Sequence, residues 1–80
     1  MKSKITVNIF GERYSLVTDF DAEYIEKLAQ TVDKNMRDVA KKTNDFSGNR
    51  IGVLAALQIA DEYHKLKRDY DELMALVREN

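Results

Sequence analysis

From Ile59 to Val77 the chain reads IADEYHKLKRDYDELMALV. Its large apolar residues Ile59, Tyr63, Leu66, Tyr70, Leu73 and Val77 recur at alternating spacings of four and three. That is the heptad seam of a coiled coil, with Tyr63, Tyr70 and Val77 at a and Ile59, Leu66 and Leu73 at d. In this register Glu62 occupies g and Lys67 the following e, a spacing that permits an interchain salt bridge in a parallel pair. Met74 and Leu76 add apolar groups at e and g. A seam widened in this way is more typical of assemblies above two strands, so a homodimer is expected and a homotetramer is favoured.

Upstream of the seam, Ile51 to Ala60 is apolar nearly all round apart from Gly52 and Gln58, which predicts burial on several sides. No proline interrupts the chain anywhere, so a single helix is expected from about Arg50 to the end, roughly 30 residues or ~45 Å at 1.5 Å per residue. The helix before it is shorter. Asp21 is a favourable N-cap, with Phe20 and Ile25 at the two positions of a hydrophobic staple. Ile25, Leu28, Ala29, Val32, Met36, Val39 and Ala40 then follow helical spacing. Lys41 and Lys42 suit the last turn, where cations meet the negative helix end, and Asn44 can stop the helix in a left-handed conformation. Thr43 to Asn49 reads as a polar loop pinned by Phe46, with Ser47 or Asn49 able to cap the second helix. The shorter helix cannot cover the longer one, whose second half must protrude or meet another chain.

At the N-terminus Ile5, Val7 and Ile9 alternate with Thr6 and Asn8, and alternation resumes at Tyr14 and Leu16. This is the period of a half-buried strand pair. A two-residue loop at Gly11-Glu12 would make a type II′ turn, placing Ile9 opposite Tyr14 and Val7 opposite Leu16. A lone hairpin is marginal in water, so its apolar face needs a cover. The fold class is therefore α+β: an N-terminal β-hairpin (4–18) packed on a helix (21–43), followed by a long helix that forms an intermolecular coiled coil. Two regions are expected, a head over 1–58 and a coiled-coil tail over 59–80.

Composition narrows what such a chain can do. Eighty residues with no cysteine and one histidine exclude disulfides and a zinc site of nitrogen and sulfur ligands within one chain. A thin domain of this size draws support from oligomerisation. Thirteen basic residues balance fourteen acidic ones, and no basic element offers itself to nucleic acid. No apolar run reaches the ~20 residues of a membrane span. No signal segment is visible either, so the cytoplasm is the expected compartment. Neither a phosphate loop nor a nucleophile–base set is present, so catalysis, cofactor and small-molecule substrate are not expected. Asp61 and His64 could hold a metal weakly, and Tyr63 and Tyr70 could stack on bases. Exposed charge and seam packing are the better readings of those residues. Arg13 beside the hairpin tip, Lys41 and Lys42 at the end of one helix, and Arg50 at the start of the next are candidates to dock an acidic segment of a partner protein. Ordinary solvated charge is the alternative.

The ordered combination of Ile9-Phe10-Gly11, Tyr14-Ser15-Leu16-Val17, Met36-Arg37-Asp38-Val39 and Val53-Leu54-Ala55-Ala56-Leu57-Gln58-Ile59-Ala60-Asp61-Glu62-Tyr63 resembles the cell division protein ZapA family. The resemblance implies a head that dimerises, tails that join two dimers into a tetramer, and a non-enzymatic adaptor that cross-links or bundles filaments of the tubulin-like GTPase FtsZ at the mid-cell ring. In that family charged head residues carry the contact, including a basic residue just after the Phe-Gly turn. Here Glu12 follows Gly11 and the basic residue is Arg13; Lys41, Lys42 and Arg50 match the region around the helix–helix loop. A coiled-coil chaperone or holdase subunit is the alternative adaptor reading, and it would present an exposed apolar tip.

Overall fold

A computed structural model describes residues 2–45 and 47–78 of the chain. The role expected of Phe46 lies outside the described residues. Four elements follow in order: strands β1 (Ser3–Ile9) and β2 (Glu12–Thr18), then helices α1 (Ala22–Thr43) and α2 (Gly48–Arg78). The strands form an antiparallel hairpin, and α1 lies against β1 and against α2 but not against β2.

The hairpin turns one residue earlier than the Gly-first loop predicts. Ile9 pairs with Glu12, Val7 with Tyr14 and Ile5 with Leu16, leaving Phe10 and Gly11 as the loop. Both loop residues have positive φ, 51° and 80°, the signature of a type I′ turn rather than type II′. The partners of each β1 residue shift by two. Because a strand alternates with period two, that shift keeps Ile5, Val7, Ile9, Tyr14 and Leu16 on one face. The left-handed region costs a non-glycine residue about 1–2 kcal/mol. Phe10 is held there by two contacts: its half-buried ring packs on the α1–α2 core, and its N–H donates to Asp33 Oδ1 at 2.7 Å.

Two small clusters make the core. Val7 packs with Ile25 and Ala29, and Met36, Val39 and Ala40 pack with Ile51 and Ala55; Ile9 touches both clusters. The predicted helical face of α1 is the one that is buried, with Val32 half-buried and Leu28 left exposed. Asp21 occupies the N-cap position with extended backbone, but its side chain makes no cap hydrogen bond. The cap is the main chain alone, through Ile25 N–H to the Asp21 carbonyl at 3.1 Å. The predicted staple is replaced by an aromatic pair. Phe20 stays exposed, edge-on to Tyr24 with centroids 5.5 Å apart. At the other end Asn44 does adopt the left-handed conformation, φ 54°, and Lys41 and Lys42 lie in the last turn. α2 begins after Ser47, whose carbonyl accepts from Ile51 N–H at 2.9 Å.

The burial expected over 51–60 is one-sided. Ile51 and Ala55 are buried, while Val53 and Leu57 on the other sides of the helix are exposed. A single α1 covers one stripe of α2, so those residues have no cover among the described residues. Beyond Ala60 every described residue except the half-buried Met74 is exposed. The Cα radius of gyration is 16.5 Å, against about 12 Å for a compact chain of this length.

Candidate functional site

Two surfaces stand out once the elements are assembled. The first lies where the hairpin turn meets α1. Phe10 and Gly11 from the turn, and Arg37, Ala40 and Lys41 from α1, line an open pocket of about 450 Å³. Arg37 and Lys41 are four residues apart and so share a helix face; Ala40, almost wholly buried, supplies an apolar floor.

The turn is held in place by one carboxylate. Asp33 accepts the Phe10 N–H on one oxygen and Arg37 Nε, at 2.9 Å, on the other. The Arg37 hydrogen bond, followed by the Phe10 amide, holds the Asp33 carboxyl below its usual value of 3.8. The same bond makes the Arg37 guanidinium give up its proton less readily than usual. Asp33 and Arg37 therefore stay charged throughout the neutral range. On the far side of this pair a smaller pocket of about 280 Å³ is lined by Asn8, Gly11, Gln30, Asp33 and Arg37.

The four cations expected to bind a partner are distributed rather than merged. Lys41 stands in the wall of the larger pocket. Lys42 is exposed in the last turn of α1 and Arg50 in the first turns of α2, the latter 3.6 Å from Asp45. Arg13, paired with Asn8, lies on the hairpin face opposite Val7. Arg37 was not among the four. Its signal in the sequence was the Asp33-x-x-x-Arg37 spacing of a helical ion pair, which reads as routine surface charge until the turn is placed beside it.

The second surface is the seam. Tyr63, Leu66, Tyr70, Leu73 and Val77 are all exposed, and Ile59, nearest the core, is half-buried. Charges flank them in pairs within the helix: Lys65 meets Asp61 at 2.9 Å, and Lys67 meets Asp71 at 3.7 Å. Lys67, expected to face Glu62 of another chain, thus has a partner in its own helix. Asp61, the weak metal candidate beside His64, is likewise engaged by Lys65, and His64 stands edge-on to Tyr63. The sheet adds Tyr14 and Leu16, the β2 half of its apolar face, which α1 leaves exposed. No helix among the described residues is long and apolar enough to cross a membrane.

Known proteins are similar to this chain in sequence and in overall fold. A sequence model of the family described as "Cell division protein ZapA" matches residues 5–79. Curated relatives carrying that same name include one from Geobacillus sp. (strain WCH70), 34% identical over 91% of this chain and 84% of its own length. Another, from Bacillus thuringiensis (strain Al Hakam), is 36% identical over 90% of this chain and 81% of its own. A solved structure, "ZapA mutant dimer from Geobacillus stearothermophilus", superposes with a TM-score of 0.72 at 32% identity, covering 98% of this chain and 91% of that one.

Proposed function

Because the chain belongs to the ZapA family of cell division proteins, we propose that it is a non-enzymatic adaptor that self-associates through α2 and cross-links FtsZ filaments through its head. The observation that carries this reading is the exposed seam from Tyr63 to Val77 on a helix whose buried residues, Ile51 and Ala55, lie in its first turns. Leucines and tyrosines at a and d positions lose contact with water when a second copy docks, at about 25 cal/mol per Å² of apolar area. The similar protein from Geobacillus stearothermophilus is a dimer, which supports the same partner, a second copy of the chain.

In this reading residues 1–58 form the head and 59–80 the tail. Each head grips a filament weakly, and tethering several heads through the tails raises the effective concentration of the second contact. Two heads on one filament stabilise it; heads on two filaments bundle them. The cations Arg13 on the hairpin, Lys41 and Lys42 at the end of α1, and Arg50 at the start of α2 are the residues that would meet an acidic filament surface. The place of action is the cytoplasmic face of the division site. A homotetramer, formed by antiparallel contact between two dimers, suits cross-linking better than a dimer because it puts heads at both ends.

Co-sedimentation with FtsZ under polymerising conditions tests the proposal. The protein should pellet with polymers, remain in the supernatant without them, and increase light scattering through bundling. Absence of co-pelleting at micromolar concentrations of both proteins would refute it.

A further inference from the structure

The pocket between the hairpin turn and α1 has a chemistry of its own. Among the described residues its walls hold two cations, Arg37 and Lys41, and no carboxylate. Arg37 spends Nε on Asp33 Oδ2. That leaves the two terminal nitrogens of its guanidinium without a protein partner among the described residues, and the ion pair holds them at the pocket edge. Lys41 makes no ion pair among the described residues and lies one helical turn further on. A guanidinium fixed through Nε is a preformed fork for a carboxylate, and a nearby ammonium adds a second charge. The remaining walls are not cationic. The Phe10 ring and the Ala40 methyl are apolar, and at Gly11 a Cβ would meet nothing within 4 Å, so the approach over the turn is open.

We propose that this pocket seats an aspartate or glutamate side chain of a partner protein together with an adjacent apolar residue. Arg37 binds the carboxylate, Lys41 supports it, and Phe10 and Ala40 take the apolar neighbour. The proposal rests on the reading of the head as the filament-binding end, and it narrows that reading. Of the four cations drawn from the sequence it assigns the contact to Lys41, adds Arg37, and leaves Arg13, Lys42 and Arg50 as long-range attraction. Asp33 is a positioning residue, because it holds both the turn and the fork. Loss of either pocket cation removes a charge-assisted contact, whereas loss of a cation outside it changes encounter more than grip.

Two measurements test the pocket separately from the function. In the first, FtsZ co-sedimentation compares the wild type with Arg37→Gln, Lys41→Gln and their combination, with Lys42→Gln and Arg50→Gln as controls. Circular dichroism and solution mass verify that each variant is folded and assembled. The combined pocket variant should weaken apparent binding by at least about tenfold and the controls by no more than about twofold. Arg37→Lys should recover only part of the loss, since an ammonium cannot form the fork. In the second, isotope-labelled protein is titrated with a capped peptide alternating aspartate and leucine. The amides of Gly11, Arg37 and Lys41 should shift saturably, and the combined variant should not respond. A wild type that fails to pellet while its pocket still takes the peptide overturns the filament reading and keeps the pocket. A wild type that does pellet with polymers, but no better than a folded Arg37→Gln/Lys41→Gln variant, or a peptide that leaves those amides unmoved, overturns the pocket.

Discussion

Ile51 and Leu66 lie on the same helix and are both aliphatic, yet Ile51 is wholly buried and Leu66 is 71% exposed. Around Ile51 the helix is held by Met36, Val39 and Ala40 of α1. Around Leu66, among the described residues, it is held by its own backbone, by the pairs Asp61–Lys65 and Lys67–Asp71, and by the edge-on contact of Tyr63 with His64. Exposed pairs of that spacing contribute about 0.3–0.5 kcal/mol each. That is too little to keep an isolated helical arm ordered against fraying, since most helical stability in proteins comes from packing. The first half of α2 is therefore stabilised by folding, whereas on the proposed function the second half is stabilised by association. Its stability then depends on protein concentration, as for any state that a partner binds selectively.

The comparison can be broken most severely at its buried end. Ile51→Ala should cost about 2–5 kcal/mol, a large share of the roughly 4–12 kcal/mol available to a chain of this length. Urea denaturation should show the midpoint collapse whatever the protein concentration. Next in size is the exposed end. Burying a leucine in the seam is worth about 1.5–3 kcal/mol. Leu66→Asp combined with Leu73→Asp should then raise the concentration for half-assembly by at least about a hundredfold. Light scattering would report the smaller mass, while the near-ultraviolet signal of Tyr14 and Tyr24 in the head persists. An unchanged mass would show that the heptad register is wrong.

The smallest effect sharpens the comparison within the head itself. The folded pKa of Asp33 is lowered, chiefly by Arg37 and next by the Phe10 amide. Its contribution is therefore fully present above the unfolded value of 3.8 and is lost as pH falls through the lower folded value. Asp33→Asn keeps an acceptor for Phe10 but loses the ion pair. The variant should be slightly less stable than the wild type at neutral pH, and thermal melts should show that gap closing as the pH drops below 3.8. A gap that widens in acid would reverse the assigned sign.

Much of this organisation was legible from residue order. The exposed apolar stripe follows from spacing alone, because an uninterrupted heptad has one apolar stripe wherever the helix goes; that a second copy covers it is the proposal. The faces of the hairpin were legible for a related reason: period two assigns Ile5, Val7 and Ile9 to one side whatever the partner strand does. Its register was not. Local preference favours glycine at the first loop position of a type II′ turn, and nothing near Phe10 announces that it will accept φ of 51°. What holds it there is Asp33, twenty-three residues away, together with burial of its ring against α1 and α2. The candidate site divides the same way. Lys41 is readable as a helix-end cation, but its grouping with Arg37 and an apolar floor exists only once the turn is laid on α1.

By itself, then, the sequence determined the four elements, the apolar faces of the hairpin and α1, and a second helix whose apolar stripe over 59–77 exceeds what α1 covers. Those are properties of period and length, which do not depend on distant residues. Tertiary structure alone decided the turn, the one-sided burial of 51–60, and which cations share a pocket. Each of these is set by competition between a local preference and contacts made far along the chain. The local preference is about 1–2 kcal/mol at Phe10, small enough for packing and one carboxylate to overrule.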